Sequence, residues 1–317
     1  MNEQLVCGRL RKEFDKVGLS VLLYYGIMTF SVFAAMLIQQ IGFLFSDMDE
    51  AAQEAALLGN GWGYILAICI GCGILLLWKK PEFCFRTIWK PANRMKPGSF
   101  VMLLCLFLTG QALFLVLYYA LESLLNLVGL SISESMEAAT GVGDTVSMFL
   151  YGCIFAPVFE EVLFRGLLLR MLEPYGKKFA ILATAFLFGI FHANIVQSPF
   201  ALAVGLVLGY AAIEYSMVWA IVLHLINNLV MGDLLYRVTA GFEPLVQKLV
   251  FYGIVGIATV AAIVILICKR HEIREYICEK KIHPWCVKSF FTSPGILAFT
   301  ILMTLSLLAT LVMQWIL

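Results

Sequence analysis

The chain has 317 residues, of which 62% are hydrophobic and only 14% charged, with a mean hydropathy of +0.92; these values exclude a soluble enzyme and indicate a polytopic membrane protein. Its net charge is +1 and its pI near 7.5. The basic residues are spread over several loops, so no face carries the positive footprint that nucleic acid requires, and the expected surroundings are the lipid bilayer.

Residues 1–17 form a basic tail containing Arg9, Arg11, Lys12 and Lys16. Apolar runs long enough to cross a bilayer, roughly 20 residues each, follow at about 18–45, 61–78, 99–128, 145–172, 179–196, 199–214, 217–236, 249–268 and 295–317. The expected fold is therefore all-α: an integral membrane bundle of about nine transmembrane helices. The sixth run is the shortest and the richest in glycine, and the fourth is longer than a straight crossing needs, so a tilted or re-entrant segment would reduce the count to eight. The first run is too long for the apolar region of a cleaved signal and lacks a small-residue cleavage site, so it reads as a retained span. Three membrane regions result: 18–140, a central core at 145–236, and 245–317 with a polar loop at 269–293.

The basic residues give an orientation. They cluster in the tail, in the loop 79–98, around 165–178 and in 269–293, whereas loops 46–60 and 130–144 hold Asp47, Asp49, Glu50, Glu54, Glu134, Glu137 and Asp144. With the N-terminus cytoplasmic, nine crossings put all four basic clusters inside and the acidic loops outside. The expected location is the plasma membrane of a bacterium. No cysteine of the nine falls in an expected external loop, so free thiols are the default. Cys69 and Cys72 form a CxxC within a span, where small-residue packing accounts for it. His271, Cys278, His283 and Cys286 match no standard zinc spacing.

Charged residues deep in a bilayer cost about 2.5 to 3.5 kcal/mol each on insertion scales, so those that persist face the bundle interior and have partners. Glu122, Glu214 and Asp233 sit near span ends, where a packing role explains them. The interior set is Glu160, Glu161, Arg165, His192, His224 and Asn228. Glu161 and Arg165 are four apart with the acid first, the favourable order for a helical ion pair. Glu160 lies about 100° around the helix from Glu161 and has no partner at helical spacing, which makes it the candidate for chemistry. Pro157 should kink or open the helix just before the acids. Phe188 and His192 share one face of the fifth span, and His224 and Asn228 one face of the seventh. At about 1.5 Å per residue, Glu160 and His192 lie roughly 20 Å from the cytoplasmic ends of their spans, and His224 and Asn228 roughly 12 to 18 Å. The layers overlap, so these groups can meet in one site.

A buried carboxylate beside an imidazole can take a proton from water and return it to a leaving amine, the general acid–base chemistry of amide hydrolysis. Glu160 with His192 fits that role, and His224 with Asn228 could stabilise the oxyanion of a tetrahedral intermediate. GxSxG is absent and no cysteine lies within a helical turn of either histidine, so water is the economical nucleophile. Glu160, His192 and His224 could instead hold a divalent metal, zinc above all; HExxH is missing, and the cofactor reading stays open between none and one such ion.

EEVLFRG (Glu160, Glu161, Arg165), FGIFH (Phe188, His192) and HLINN (His224, Asn228) together resemble, in order and spacing, the EExxxR, FxxxH and HxxxN motifs of the CAAX-protease and bacteriocin-processing family of intramembrane endopeptidases, also called the Abi family. The resemblance covers about residues 145–236. It implies a helical membrane protease acting on a membrane-associated peptide or protein: Glu160 and His192 would activate water, His224 and Asn228 stabilise the oxyanion, and Glu161 with Arg165 form an orienting pair. Members are often called metalloproteases, although the prenyl-protein endopeptidases look glutamate-dependent. The eukaryotic branch cleaves the last three residues of prenylated CAAX proteins, and bacterial relatives are linked to bacteriocin maturation, self-immunity and peptide signalling. Two other functions fit part of the pattern. A non-catalytic scaffold regulating a partner would dispense with the motif residues, which are all present. A proton-coupled transporter would show paired repeats with polar residues in both halves, whereas here they are confined to spans four, five and seven.

Overall fold

A computed structural model describes residues 3–141, 145–279 and 281–316; Asp144 and Lys280, counted above among the loop charges, lie outside the described residues, as do residues 1, 2 and 317 of the terminal segments. Every regular element among the described residues is helical, with no strand, and eight helices are long and apolar enough to cross a membrane. This makes the chain an integral membrane protein.

In chain order the helices are α1 (Glu3–Phe43), α2 (Glu50–Leu58), α3 (Gly61–Leu77), α4 (Pro97–Asn126), α5 (Ser133–Thr140), α6 (Val146–Tyr175), α7 (Lys177–Phe191), α8 (Gln197–Glu214), α9 (Met217–Thr239), α10 (Pro244–Cys268), α11 (Arg270–Glu279), α12 (Pro284–Phe291) and α13 (Pro294–Ile316). Local chemistry sets several starts. Asp49 and Asn60 accept the N–H groups of Ala52 and Trp62 at the heads of α2 and α3. Pro97, Pro244 and Pro284 open α4, α10 and α12, where their missing N–H costs nothing.

The count falls at the lower end of the expected eight to nine, and the short element is the fifth run, not the sixth or the fourth. Helix α7 has 15 residues, about 22 Å at 1.5 Å per residue, less than a hydrocarbon core. It still runs antiparallel to nearly the whole of α8. Lys177 pairs with Glu214 at 3.0 Å where α7 begins and α8 ends, and the reversal between them is tied by Asn194 Oδ1, which accepts from Val196 N and Gln197 N at 2.9 Å each. Phe179, Ala180, Ala183, Thr184, Leu187 and Phe188 of α7 are buried. Neighbouring helices, not lipid, cover it, which removes the need for full membrane length.

Helix α6 is not α-helical throughout. Wider π-helical stretches at Tyr151–Phe155 and Val162–Leu168 flank the α-helical turns Ala156–Glu161. The first precedes Pro157, which has no N–H to give and whose ring would strike a carbonyl one turn back; the expected irregularity is thus a π-turn. Helix α9 likewise changes to π geometry at Ile226–Leu234. Such insertions recur at functional sites because they re-aim side chains within an otherwise regular helix.

The core is built on α6, α7 and α8, with Phe14, Phe107, Phe164, Phe188, Phe290 and Phe299 among its largest fully buried side chains. At the crossing of α1 and α13, a Cβ on Gly18 would lie 2.3 Å from the backbone carbon of Gly295, so the two backbones touch only because neither residue has a side chain. Gly18→Val should overpack this crossing at a cost of about 1–3 kcal/mol, lowering the melting temperature of the detergent-purified protein by on the order of 5 °C in a fluorescence melt.

Candidate active site

Helices α6, α7 and α9 bring the motif residues together. Glu161 and Arg165 are fully buried and paired, Arg165 Nη1 donating to Glu161 Oε1 at 3.0 Å. The guanidinium also donates from Nη2 to Gly205 O at 3.3 Å and lies 4.3 Å from the centre of the Phe188 ring. Gly205 permits that approach: a Cβ there would sit 3.2 Å from both Arg165 Nη2 and Ala185 Cα. Phe188 therefore acts as an apolar floor, meeting His192 and His224 edge-on at ring separations of 4.9 and 5.9 Å.

The two imidazoles are held alike. His192 Nδ1 lies 2.8 Å from Phe188 O, and a carbonyl only accepts, so this nitrogen carries the proton. His224 Nδ1 lies 2.9 Å from Glu161 Oε1, and a carboxylate sets the same tautomer. Each ring is left with Nε2 for other work. Glu160, one position before the buried acid, points elsewhere: its Oε2 is 3.8 Å from His224 Nε2, and its side chain is 19% exposed. It makes no such approach to His192. Glu160, His192, His224 and Asn228 all line one cavity of about 770 Å³.

Asn228 spends one amide N–H on Gly152 O at 3.0 Å, and its Oδ1 accepts from Asn227 at 3.0 Å. Asn227 accepts in turn from Gln111 Nε2 of α4 at 2.6 Å. Gln111 and Asn227 escaped sequence reasoning, although an isolated amide in mid-span was a signal for the first, and adjacency to Asn228 for the second. The three residues assigned packing roles have partners: Glu122 accepts from Ser131 Oγ and Ile132 N at 2.8 Å each, Glu214 pairs with Lys177, and Asp233 Oδ2 accepts from Arg237 Nε at 2.6 Å. All nine cysteines are free. Among the described residues no three His, Cys, Asp or Glu side chains converge closely enough to share a metal ion, the set Glu160, His192 and His224 included.

Fold and site together define a polytopic helical membrane protein enclosing a carboxylate–imidazole cavity. Residues 142–230 match the family model described as Type II CAAX prenyl endopeptidase Rce1-like, and this segment, under a third of the chain, is a domain of that protease family. It contains all seven motif residues. No curated protein and no solved structure was found to match the chain.

Proposed function

We propose that the protein is an intramembrane endopeptidase that hydrolyses a peptide bond of a membrane-associated polypeptide with an activated water. The observation that carries this reading is the convergence of the Glu160 carboxylate and two imidazoles, each with Nδ1 already engaged, on one cavity. In the first step Glu160, assisted by His192, takes a proton from water as its oxygen attacks the scissile carbonyl carbon. The resulting oxyanion accepts hydrogen bonds from the second N–H of the Asn228 amide and from His224 Nε2 when that nitrogen is protonated. Glu160 then returns the proton to the departing amine as the C–N bond breaks. Glu161 and Arg165 hold His224 in its tautomer and orientation, as the third member of a catalytic triad holds its histidine.

The placement of the donor groups does not fit a ready-made three-ligand zinc site, so no step is routed through an ion. Chelation followed by dialysis should leave the cleavage rate within about twofold of the untreated enzyme, and a rate lost on chelation and restored by zinc would replace this mechanism with a metal-assisted one. His192→Ala should cut hydrolysis of detergent-presented membrane peptides by about 10²-fold or more. If cells expressing His192→Ala, His224→Ala and Glu160→Ala all keep the biological phenotype, a scaffold role stands in place of catalysis.

A further inference from the structure

The helix ends sort into two faces. On one, Gly295 N donates to Asp15 Oδ1 at 2.6 Å, Arg170 Nη2 to Ala212 O at 3.2 Å, Ala92 N to Tyr215 O at 2.8 Å and Lys178 Nζ to Ile277 O at 3.0 Å. On the other, Gly61 N donates to Ser147 Oγ at 3.0 Å, Asn194 Nδ2 to Ser135 O at 2.8 Å and Trp315 Nε1 to Ser131 O at 3.0 Å. Among the described residues, every lysine and arginine except Arg165, Arg237 and Lys248 belongs to the first face, and the second carries Asp47, Asp49, Glu50, Glu54, Glu134 and Glu137. Such an imbalance orients a helical membrane protein with its basic face in the cytoplasm.

The cavity does not reach that face. It extends from His192, His224 and Phe188 to Thr140, Thr239, Gln247 and Lys248, all on the acidic face, and none of its lining residues falls in the basic loops 79–96, 170–178 or 269–293. Between the site and the basic face the bundle is closed by Phe164, Leu167, Leu168, Ala220 and Leu223, each at most 1% exposed. Aromatic groups wall the cavity on the way out: Phe149, Tyr236 and Phe251, with Tyr119 and Tyr252 joined through their hydroxyls at 3.2 Å.

We propose that substrate enters from the extracytoplasmic face, so that the enzyme acts on an exported peptide or the outer segment of a membrane protein and not on the tail of a cytoplasmic prenylated protein. The substrate half of this inference rests on the peptidase reading; the route does not. Polar groups at the mouth suit the amides of an extended backbone, and the aromatic wall suits apolar side chains. A prenylated cytoplasmic tail would have to cross the closed half of the bundle to reach Glu160.

The test uses a membrane-impermeant maleimide on Thr140→Cys at the mouth and Leu115→Cys deeper in the lining, in intact cells and in inside-out vesicles, with labelled sites read by peptide mass spectrometry. Native Cys278, exposed on the basic face, reports opposite sidedness in the same molecule. The expected result is labelling of both introduced cysteines at least tenfold greater in intact cells, with Cys278 labelled only in inverted vesicles. Labelling of Thr140→Cys or Leu115→Cys only in inverted vesicles, or of Thr140→Cys but never Leu115→Cys in folded, monodisperse protein, would overturn the route. Spheroplasts expressing the wild type, but not Glu160→Gln, should cleave an added impermeant peptide. Outer-face labelling without such cleavage would leave the route standing and sink the peptidase reading.

Discussion

Glu160→Gln should reduce peptide hydrolysis by about 10² to 10⁴-fold while leaving the yield and melting temperature of the folded protein close to wild type. The two halves of this expectation have different causes. Glutamine fills the same volume and keeps a polar end toward the cavity, but it cannot accept a proton from water at any useful pH. Stability should barely change because Glu160 holds no close ion pair: the nearest ring nitrogen is His224 Nε2 at 3.8 Å, and the Glu160 side chain already opens on the cavity. Single-turnover cleavage of a membrane peptide, measured beside a thermal melt on the same preparation, checks both. Hydrolysis within tenfold of wild type would remove Glu160 as the base. A collapse of the melt would instead make it a structural residue.

The contrast between Glu160 and its neighbour was partly visible in the sequence. Spacing alone joins Glu161 to Arg165, because residues four apart share a helix face, and the pair forms at 3.0 Å. The same argument separates Glu160 from that pair. It does not say which histidine approaches it, because that depends on how α7 and α9 are rotated and how deeply each is set. Depth counted from span ends groups Glu160 with His192, yet the nearer ring is that of His224. The reasons lie in tertiary geometry. The π-helical turns in α6 and α9 shift the register of everything beyond them, and a five-residue hydrogen-bond repeat leaves no periodic trace in so apolar a sequence. The modest length of α7 was similarly hidden. An apolar run shows that a segment avoids water, not whether lipid or other helices cover it. Gln111 lay outside the motif region, and its link to Asn227 joins residues 116 apart, a contact that no local pattern encodes.

The buried trio of Glu161, Arg165 and His224 leads to an expectation of the opposite kind, in which stability and activity fall together and then separate. Glu161→Ala leaves the Arg165 guanidinium with Gly205 O and the face of Phe188 as its neighbours. Removing one partner of a fully buried pair costs about 3–5 kcal/mol, since the remaining charge stays out of water without compensation. The melting temperature should drop by on the order of 10 °C. Activity should fall at least about tenfold in the protein that remains folded, because His224 Nδ1 has lost the acceptor that fixes its tautomer. Glu161→Gln combined with Arg165→Met removes both charges and fills similar space, and most of the stability should return. Activity should not return with it: a neutral amide can hold the ring but no longer offers a carboxylate to the His224 ring when its Nε2 is protonated and donates to the oxyanion. Recovery of both properties would reduce the pair to packing. Recovery of neither would mean that the pocket beneath Phe188 needs the guanidinium itself, a role that Arg165→Lys would then test, because a lysine keeps the charge but cannot donate to Glu161 and Gly205 through a planar fork.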